Sequence, residues 1–175
     1  KNVKKLVEIG VGAHNLNFGG GKSLMAFGNY YRNAKIFGLD INDKSYLDTK
    51  NIKTIICDQS NQNQLRSFAR KFGNFDIIVD DGSHFVNHQI LTFEVLFKYL
   101  NDGGVYIIED CAGSYFKGYN GDPNLSHKKN LISYFQKKIH SINSSYLLKK
   151  FEKNVLDISV ITFVNEAVLI KKKIN

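Results

Sequence analysis

Adjacent acids occur at two places in the chain, Asp80-Asp81 and Glu109-Asp110, and the first pair runs straight into Gly82-Ser83-His84. Each pair ends a short apolar run, residues 77–79 and 105–108. Crowded carboxylates repel one another, and a bound cation relieves that repulsion. A divalent ion held by hard oxygen atoms lowers the pKa of a hydroxyl brought to it. A neutral imidazole, with an ordinary pKa of about 6.5, can then take the proton. Four carboxylates and His84 thus suggest chemistry on a hydroxyl, provided the fold brings them to one rim. His84 has a second reading as a cap at the start of the next helix. His88 shares its helical face and raises a His-x-x-x-His metal pair. With oxygen ligands at hand, His88 is expected to be structural. His14, His127 and His140 lie outside this constellation and are expected at the surface.

A second set of residues points to a nucleoside. The segment 7–12, VEIGVG, places Gly-x-Gly at the end of an apolar run, where glycine lets backbone pass close to a ligand. The dinucleotide fingerprint needs a third glycine at position 15, which is Asn15. The P-loop needs one at position 16, ahead of Gly21-Lys22-Ser23, and finds Leu16. Asp40 and Asp58 each follow a further apolar run. Asp40 can accept hydrogen bonds from two ribose hydroxyls, or be a loop acid or helix cap. Asp58, with Gln59 beside it, can bond an adenine amino group, or cap the helix that follows. With no loop to cradle a diphosphate, the nucleoside that fits is S-adenosylmethionine.

These residues need rigid elements behind them. Apolar runs at 5–9, 35–39, 52–57, 75–79 and 105–108 read as buried parallel strands, whose carboxyl ends form the site in open α/β sheets. Helices are expected at 22–31, 61–72 and 87–100, with a short helical piece at 44–49. In 61–72 the apolar residues Leu65, Phe68, Ala69 and Phe72 keep helical spacing, and Ser60 is the expected cap. In 87–100 they are Ile90, Phe93, Leu96 and Phe97, with Gly103-Gly104 as the stop. Residues 111–130 hold the only proline and read as a long substrate loop. A helix near 128–139 follows. Runs at 155–164 and 167–170, joined at Asn165-Glu166, read as a closing antiparallel hairpin. A single α/β domain over 1–175 is expected. Five β-α units and a hairpin match the seven-stranded sheet of class I methyltransferases better than an all-parallel dehydrogenase sheet.

Composition narrows the partners. The chain has 175 residues, 43% of them hydrophobic and 23% charged, which is ordinary for a water-soluble domain. Net charge is +8, which would suit anionic partners but reads first as a Lys- and Asn-rich composition with solvated Lys faces. Most of that charge is Lys; the arginines are Arg32, Arg66 and Arg70, with no aromatic-interleaved basic motif. No nucleic-acid partner is expected. No apolar run approaches the ~20 residues of a membrane span. Cys57 and Cys111 lack metal-ligand spacing and are expected as reduced thiols, which suits the cytoplasm. The sequence opens on Lys1 rather than Met, which leaves room for an upstream segment.

The run VEIGVG, GGGKSL, GLDI, DQS, FDIIVDDGSH, HQ, GGVYIIED and SYF, from about Leu6 to Phe116, resembles the macrocin-type sugar O-methyltransferases. DDGSH and the Gly-Gly strand ending in Glu-Asp are its distinctive parts. Cephalosporin-hydroxylase-like proteins share some of the pattern. The resemblance implies a bacterial transferase in a class I methyltransferase (Rossmann-like) fold, with S-adenosylmethionine and Mg²⁺. In it, Asp81, Glu109 and Asp110 would hold the metal and His84 would be the general base, with Asp81 also catalytic. Glu8, Gly10, Gly12, Ser23, Asp40, Asp58, Gln59 and Asp80 would surround the cofactor. The acceptor would be a sugar hydroxyl on a natural-product glycoside, a nucleotide sugar or a surface-polysaccharide precursor. Apart from the resemblance, Tyr115, Phe116, Tyr119 and Asn120 of the long loop could stack on a sugar ring or equally pack on the protein body. A homo-oligomer is expected. The alternatives are a catechol-type O-methyltransferase and a cofactor-binding module without catalysis.

Overall fold

The computed structural model describes residues 2–12, 19–125, 130–146 and 156–174. Five parallel strands, β1 (Lys5–Ile9), β2 (Lys35–Asp40), β3 (Ile52–Ile56), β4 (Phe75–Asp80) and β5 (Leu100–Ile108), are joined by β6 (Ile158–Val164) and β7 (Ala167–Lys172). The order is β3-β2-β1-β4-β5-β7-β6, with β7 antiparallel to both neighbours. The order of strand addition reverses between β1 and β4, and ligands in such sheets bind at that switch point.

Successive side chains of a strand face opposite ways, and both faces here are apolar. Leu6 and Ile36 pack with Leu24 of α1 (Lys22–Tyr30). Val7 and Phe37 face the other layer, which contains Leu65 and Phe68 of α2 (Gln62–Phe72) and Phe93 and Leu96 of α3 (Val86–Leu96). Phe135 of α4 (Leu131–Lys138) joins that core. Phe93 contacts Phe97, Tyr106 and Phe135 with ring centroids 4.9–5.2 Å apart. Truncating such a residue costs about 3–5 kcal/mol.

Pairing continues past the strand ends and so fixes the rim. Gly10 N–H donates to Leu39 O at 2.8 Å, Asp81 N–H to Ile9 O at 2.9 Å and Glu109 N–H to Asp80 O at 2.9 Å. Gly10 has φ +83°, and a Cβ there would overlap the Asp81 carbonyl. The loop after β1 can therefore lie against the turn after β4 only with glycine at this position.

Three local expectations are corrected. The third predicted helix stops at Leu96, and a 3₁₀ turn, Phe97–Tyr99, leads straight into β5. Gly103-Gly104 does not stop a helix. Pairing jumps from Phe75↔Leu100 to Ile77↔Val105, so residues 101–104 bulge, with Gly103 at φ +66°. The cap of α2 is Asn61, whose side chain accepts from Asn63 N and Gln64 N; Ser60 bonds Asp58 instead. The closing hairpin forms, with Glu166 at φ +58° in its turn, but β6 starts at Ile158; position 155 lies outside the described residues. Among the described residues, no helix is long and apolar enough to cross a membrane.

Candidate active site

The register brings the ends of β4 and β5 level, since Asp80 pairs with Ile108. Just beyond them, Asp81, His84 and Asp110 each offer a ligand atom, and these atoms lie within 4.8 Å of one another. His84 Nε2 is 3.7 Å from Asp110 Oδ2, with the imidazole 22% and the carboxylate 58% exposed. Both residues have left-handed backbone, at φ +58° and +51°. His84 Nδ1 is buried and has no partner among the described residues.

Glu109 was expected as a third metal acid. Among the described residues it adds no atom to this group. It does feel the group's charge: partial burial, Asp81 and Asp110 all push its carboxyl above the usual range. Gln89, fully buried on α3, donates to the Glu109 carbonyl at 3.0 Å and pins the chain where β5 ends. His88 stands apart from the group, with Nδ1 2.8 Å from Ser83 Oγ. Burial pushes its pKa down.

Next to this group, at the ends of β1, β2 and β3, is a cavity of about 270 Å³. Gly10, Asp40, Asp58 and Gln59 line it, as do Gly82 and Ser83 of the β4 turn. Asp40 Oδ2 accepts from Val11 N at 3.0 Å and Oδ1 from Asn42 N at 2.9 Å, which leaves one lone pair on each oxygen for a ligand. Asp58 Oδ1 accepts from Ser60 N and Oγ. Four expected cofactor residues, Glu8, Gly12, Ser23 and Asp80, do not line the cavity. Asp80 is 0% exposed, and burial raises its pKa to about 7. Glu8, on β1, is 1% exposed and accepts from the Ser23 hydroxyl. Burial raises its pKa to about 7 as well, with Asp81 and Glu109 adding to the effect, and its Oε2 has no partner among the described residues. Gly12, at φ +83°, turns the chain out of β1. Asn15, Leu16, His14 and His127 lie outside the described residues. His140 is exposed.

The segment after Asp110 docks on the start of α3. The Tyr119 and Phe85 rings are 5.8 Å apart, and Asn120 Nδ2 donates to Asn87 Oδ1 at 2.8 Å. Tyr115 and Phe116 remain exposed.

The search against protein-family models finds no match. Curated proteins do match. Demethylmacrocin O-methyltransferase of Streptomyces fradiae is 38% identical over 118 residues. Mycinamicin VI 2''-O-methyltransferase of Micromonospora griseorubida is 41% identical over 117. Each match takes in 67% of this chain. The chain is a homologue of the macrocin-type sugar O-methyltransferases. It spans only about 30% of the length of these curated relatives. The MycE methyltransferase of the mycinamycin pathway, solved with Mg and S-adenosylhomocysteine, superposes with a TM-score of 0.91 at 30% identity. That superposition covers 99% of this chain and 45% of MycE. A further MycE structure, which also holds mycinamycin VI, gives 0.88. The fold is that of class I methyltransferases.

Measured against this family, the donor set suits a hard divalent cation. Two carboxylates and an imidazole converge, and the carboxylates supply the oxygen atoms Mg²⁺ prefers. The cavity suits a nucleoside, with an acid at the end of β2 and another after β3. Sequence reasoning did not place Ser83, Ile41 or His88 on its wall. Ser83 belongs to the DDGSH motif and His88 follows it, but nothing in their types showed that the turn after β4 folds back toward β3.

Proposed function

We infer that the chain is the catalytic unit of an S-adenosylmethionine-dependent, Mg²⁺-assisted O-methyltransferase acting on a sugar hydroxyl. One observation carries this reading. The group Asp81–His84–Asp110 and the 270 Å³ cavity share a single turn, residues 81–84, so a cation site and a nucleoside site adjoin. The family supports the same chemistry. MycE was solved with Mg, S-adenosylhomocysteine and mycinamycin VI, and the curated relatives are named for sugar positions.

When bound, the sulfonium would supply an electrophilic methyl group and the cation would lower the pKa of the acceptor hydroxyl. The chain's own residues do the rest. Asp81 and Asp110 hold the cation and set where the hydroxyl lies. His84 Nε2 takes the hydroxyl proton: Nδ1 is buried, and one nitrogen cannot serve as both ligand and base. Asp40 orients the ribose, and Asp58 lies where an adenine edge would end. Gly10, Gly12 and Ser23 shape the methionine end, and Glu8 stands behind it. Tyr115 and Phe116 offer apolar faces to a sugar ring beside Asp110. Alignment of donor and acceptor is the main catalytic contribution of such a scaffold.

The acceptor class proposed is a natural-product glycoside, a nucleotide sugar or a polysaccharide precursor. We place the protein in the cytoplasm, in keeping with two buried free thiols, Cys57 and Cys111. We take it to act as a homo-oligomer, consistent with the exposed Val160, Phe163 and Val164 of strand β6 at the end of the sheet. The test is methyl transfer from labelled S-adenosylmethionine to rhamnosides, macrolide glycosides, nucleotide sugars and catechols, with and without EDTA. Metal-dependent transfer to a sugar supports the reading. Transfer to catechols alone would favour the catechol-type alternative. Tight cofactor binding with no transfer to any acceptor would favour a non-catalytic module.

A further inference from the structure

The side chain of Gln59 makes two hydrogen bonds within the protein. Its Nε2 donates to Asp80 Oδ1 at 2.6 Å, and its Oε1 accepts from Ser83 N at 2.9 Å. Asp80 is fully buried, and its other oxygen takes the Tyr106 hydroxyl at 3.4 Å. Gln59 itself is 8% exposed, and its carboxamide lies so close to the turn that a Cβ on Gly82 would overlap it. The amide thus fills the space between β4 and the turn that follows. Residues 81–84 have no helix or strand of their own. The turn carries both Asp81 and His84, two of the three residues whose ligand atoms converge.

We propose that Gln59 is a positioning residue for the cation site, acting as a strap that ties Asp80 to Ser83 N–H and so holds Asp81 and His84 opposite Asp110. This rests on the reading of Asp81 and Asp110 as cation ligands with His84 beside them as base. It departs from a direct adenine contact for Gln59. Without the carboxamide, Asp80 keeps Gly82 N–H and the Tyr106 hydroxyl, but Ser83 N–H loses its partner, and the turn can satisfy it only by moving. Residues that orient metal ligands in this way are worth about 10–100-fold in metal affinity.

The experiment is calorimetric titration of wild type and Gln59→Leu, with Mg²⁺ and separately with S-adenosylhomocysteine. The expected result is about 10-fold or greater loss of Mg²⁺ affinity. S-adenosylhomocysteine affinity should fall by a smaller factor than Mg²⁺ affinity, since Gln59 also lines the cavity. The exchanged pair Asp80→Asn with Gln59→Glu rebuilds the bond between the two side chains with its donor reversed and keeps an acceptor for Ser83 N–H, and should bring Mg²⁺ affinity back to within about threefold of wild type. Lost S-adenosylhomocysteine affinity with unchanged Mg²⁺ affinity in Gln59→Leu would overturn the strap and make Gln59 a direct cofactor contact. If Gln59→Leu does not fold, the exchanged pair decides: folded, but about 10-fold weaker for Mg²⁺, it overturns the strap. A wild-type chain that binds no Mg²⁺ would overturn the proposed function and the strap together, whereas equal affinity in wild type and Gln59→Leu would overturn the strap alone.

Discussion

His84 Nε2 and Asp110 Oδ2 face each other at 3.7 Å across the ends of β4 and β5, and both residues hold left-handed backbone conformations. Neither is glycine, and such a conformation costs an L-residue roughly 1–2 kcal/mol. Two strained residues pointing at one spot have a use if the strain aims the side chains. Asp81 completes the group from the same turn as His84, so the arrangement depends on two loops rather than on one strand.

The strain predicts a trade between stability and binding. Asp110→Gly relieves the φ +51° backbone and removes a carboxylate that crowds Glu109. In EDTA the variant should be as stable as wild type or up to about 1 kcal/mol more stable by urea unfolding. Added Mg²⁺ should raise the melting temperature of wild type and leave that of the variant unmoved. A variant clearly less stable than wild type in EDTA would contradict the strain argument.

The ligand set predicts an order of effects among the acids. Asp81→Asn and Asp110→Asn should each weaken Mg²⁺ binding about 10-fold or more and abolish turnover, with S-adenosylhomocysteine still bound. Glu109→Gln should cost less, because its carboxylate lies outside the converging group. Mg²⁺ titration of the three variants gives the order directly. If Glu109→Gln were the most damaging, the sequence reading that made Glu109 a ligand would be restored.

Much of this site was legible from spacing. An acid pair after each of two buried runs, and single acids after two others, put the chemistry at strand ends, because parallel strands in one register share a rim. What could not be read was the side of the rim each acid takes. Glu8 and Asp80 are on opposite faces of the sheet, since Asp80 pairs with Ile9 and Glu8 with Val79, and both are buried. Gln59 was expected beside the cofactor because it follows Asp58; it lines the cavity, and its hydrogen bonds to Asp80 of β4 and to Ser83 in the turn after it, both remote in sequence, could not be read. Gly103-Gly104 was misread for a similar reason. A glycine pair stops a helix or makes a bulge equally well, and the pairing of Leu100 with Phe75 decides between them.

The cap of α2 gives a direct check on one such correction. Asn61 accepts two backbone N–H groups, whereas the Ser60 hydroxyl donates to Asp58 at the surface. Asn61→Ala should therefore cost about 1 kcal/mol in urea unfolding. Ser60→Ala should stay within about 0.5 kcal/mol of wild type, as surface substitutions do. Similar losses for both would mean that the two residues share the capping.

Glu8 sets a pH dependence whose sign can be worked out. Burial raises its carboxyl from an ordinary 4.5 to about 7 in the folded chain, where Ser23 donates to it and Asp81 and Glu109 repel its charge. Between those two values the folded state holds more protons than the unfolded state. Stability from this group is therefore present below pH 4.5 and lost as pH rises toward 7. Asp80, raised from 3.8 to about 7 by burial, acts in the same direction. His88 acts in the opposite direction below its ordinary 6.5, because burial pushes its pKa down. The informative quantity is then the difference between wild type and Glu8→Gln. Urea unfolding in EDTA at pH 5, 6, 7 and 8, values spanning the window of the shift, should show Glu8→Gln gaining on wild type as pH rises and levelling off above about 7. A difference independent of pH would mean that Glu8 ionises normally and that its unpartnered oxygen is hydrated. The same series with Mg²⁺ should show a smaller difference, since a cation held by Asp81 offsets the negative charge that Glu8 faces.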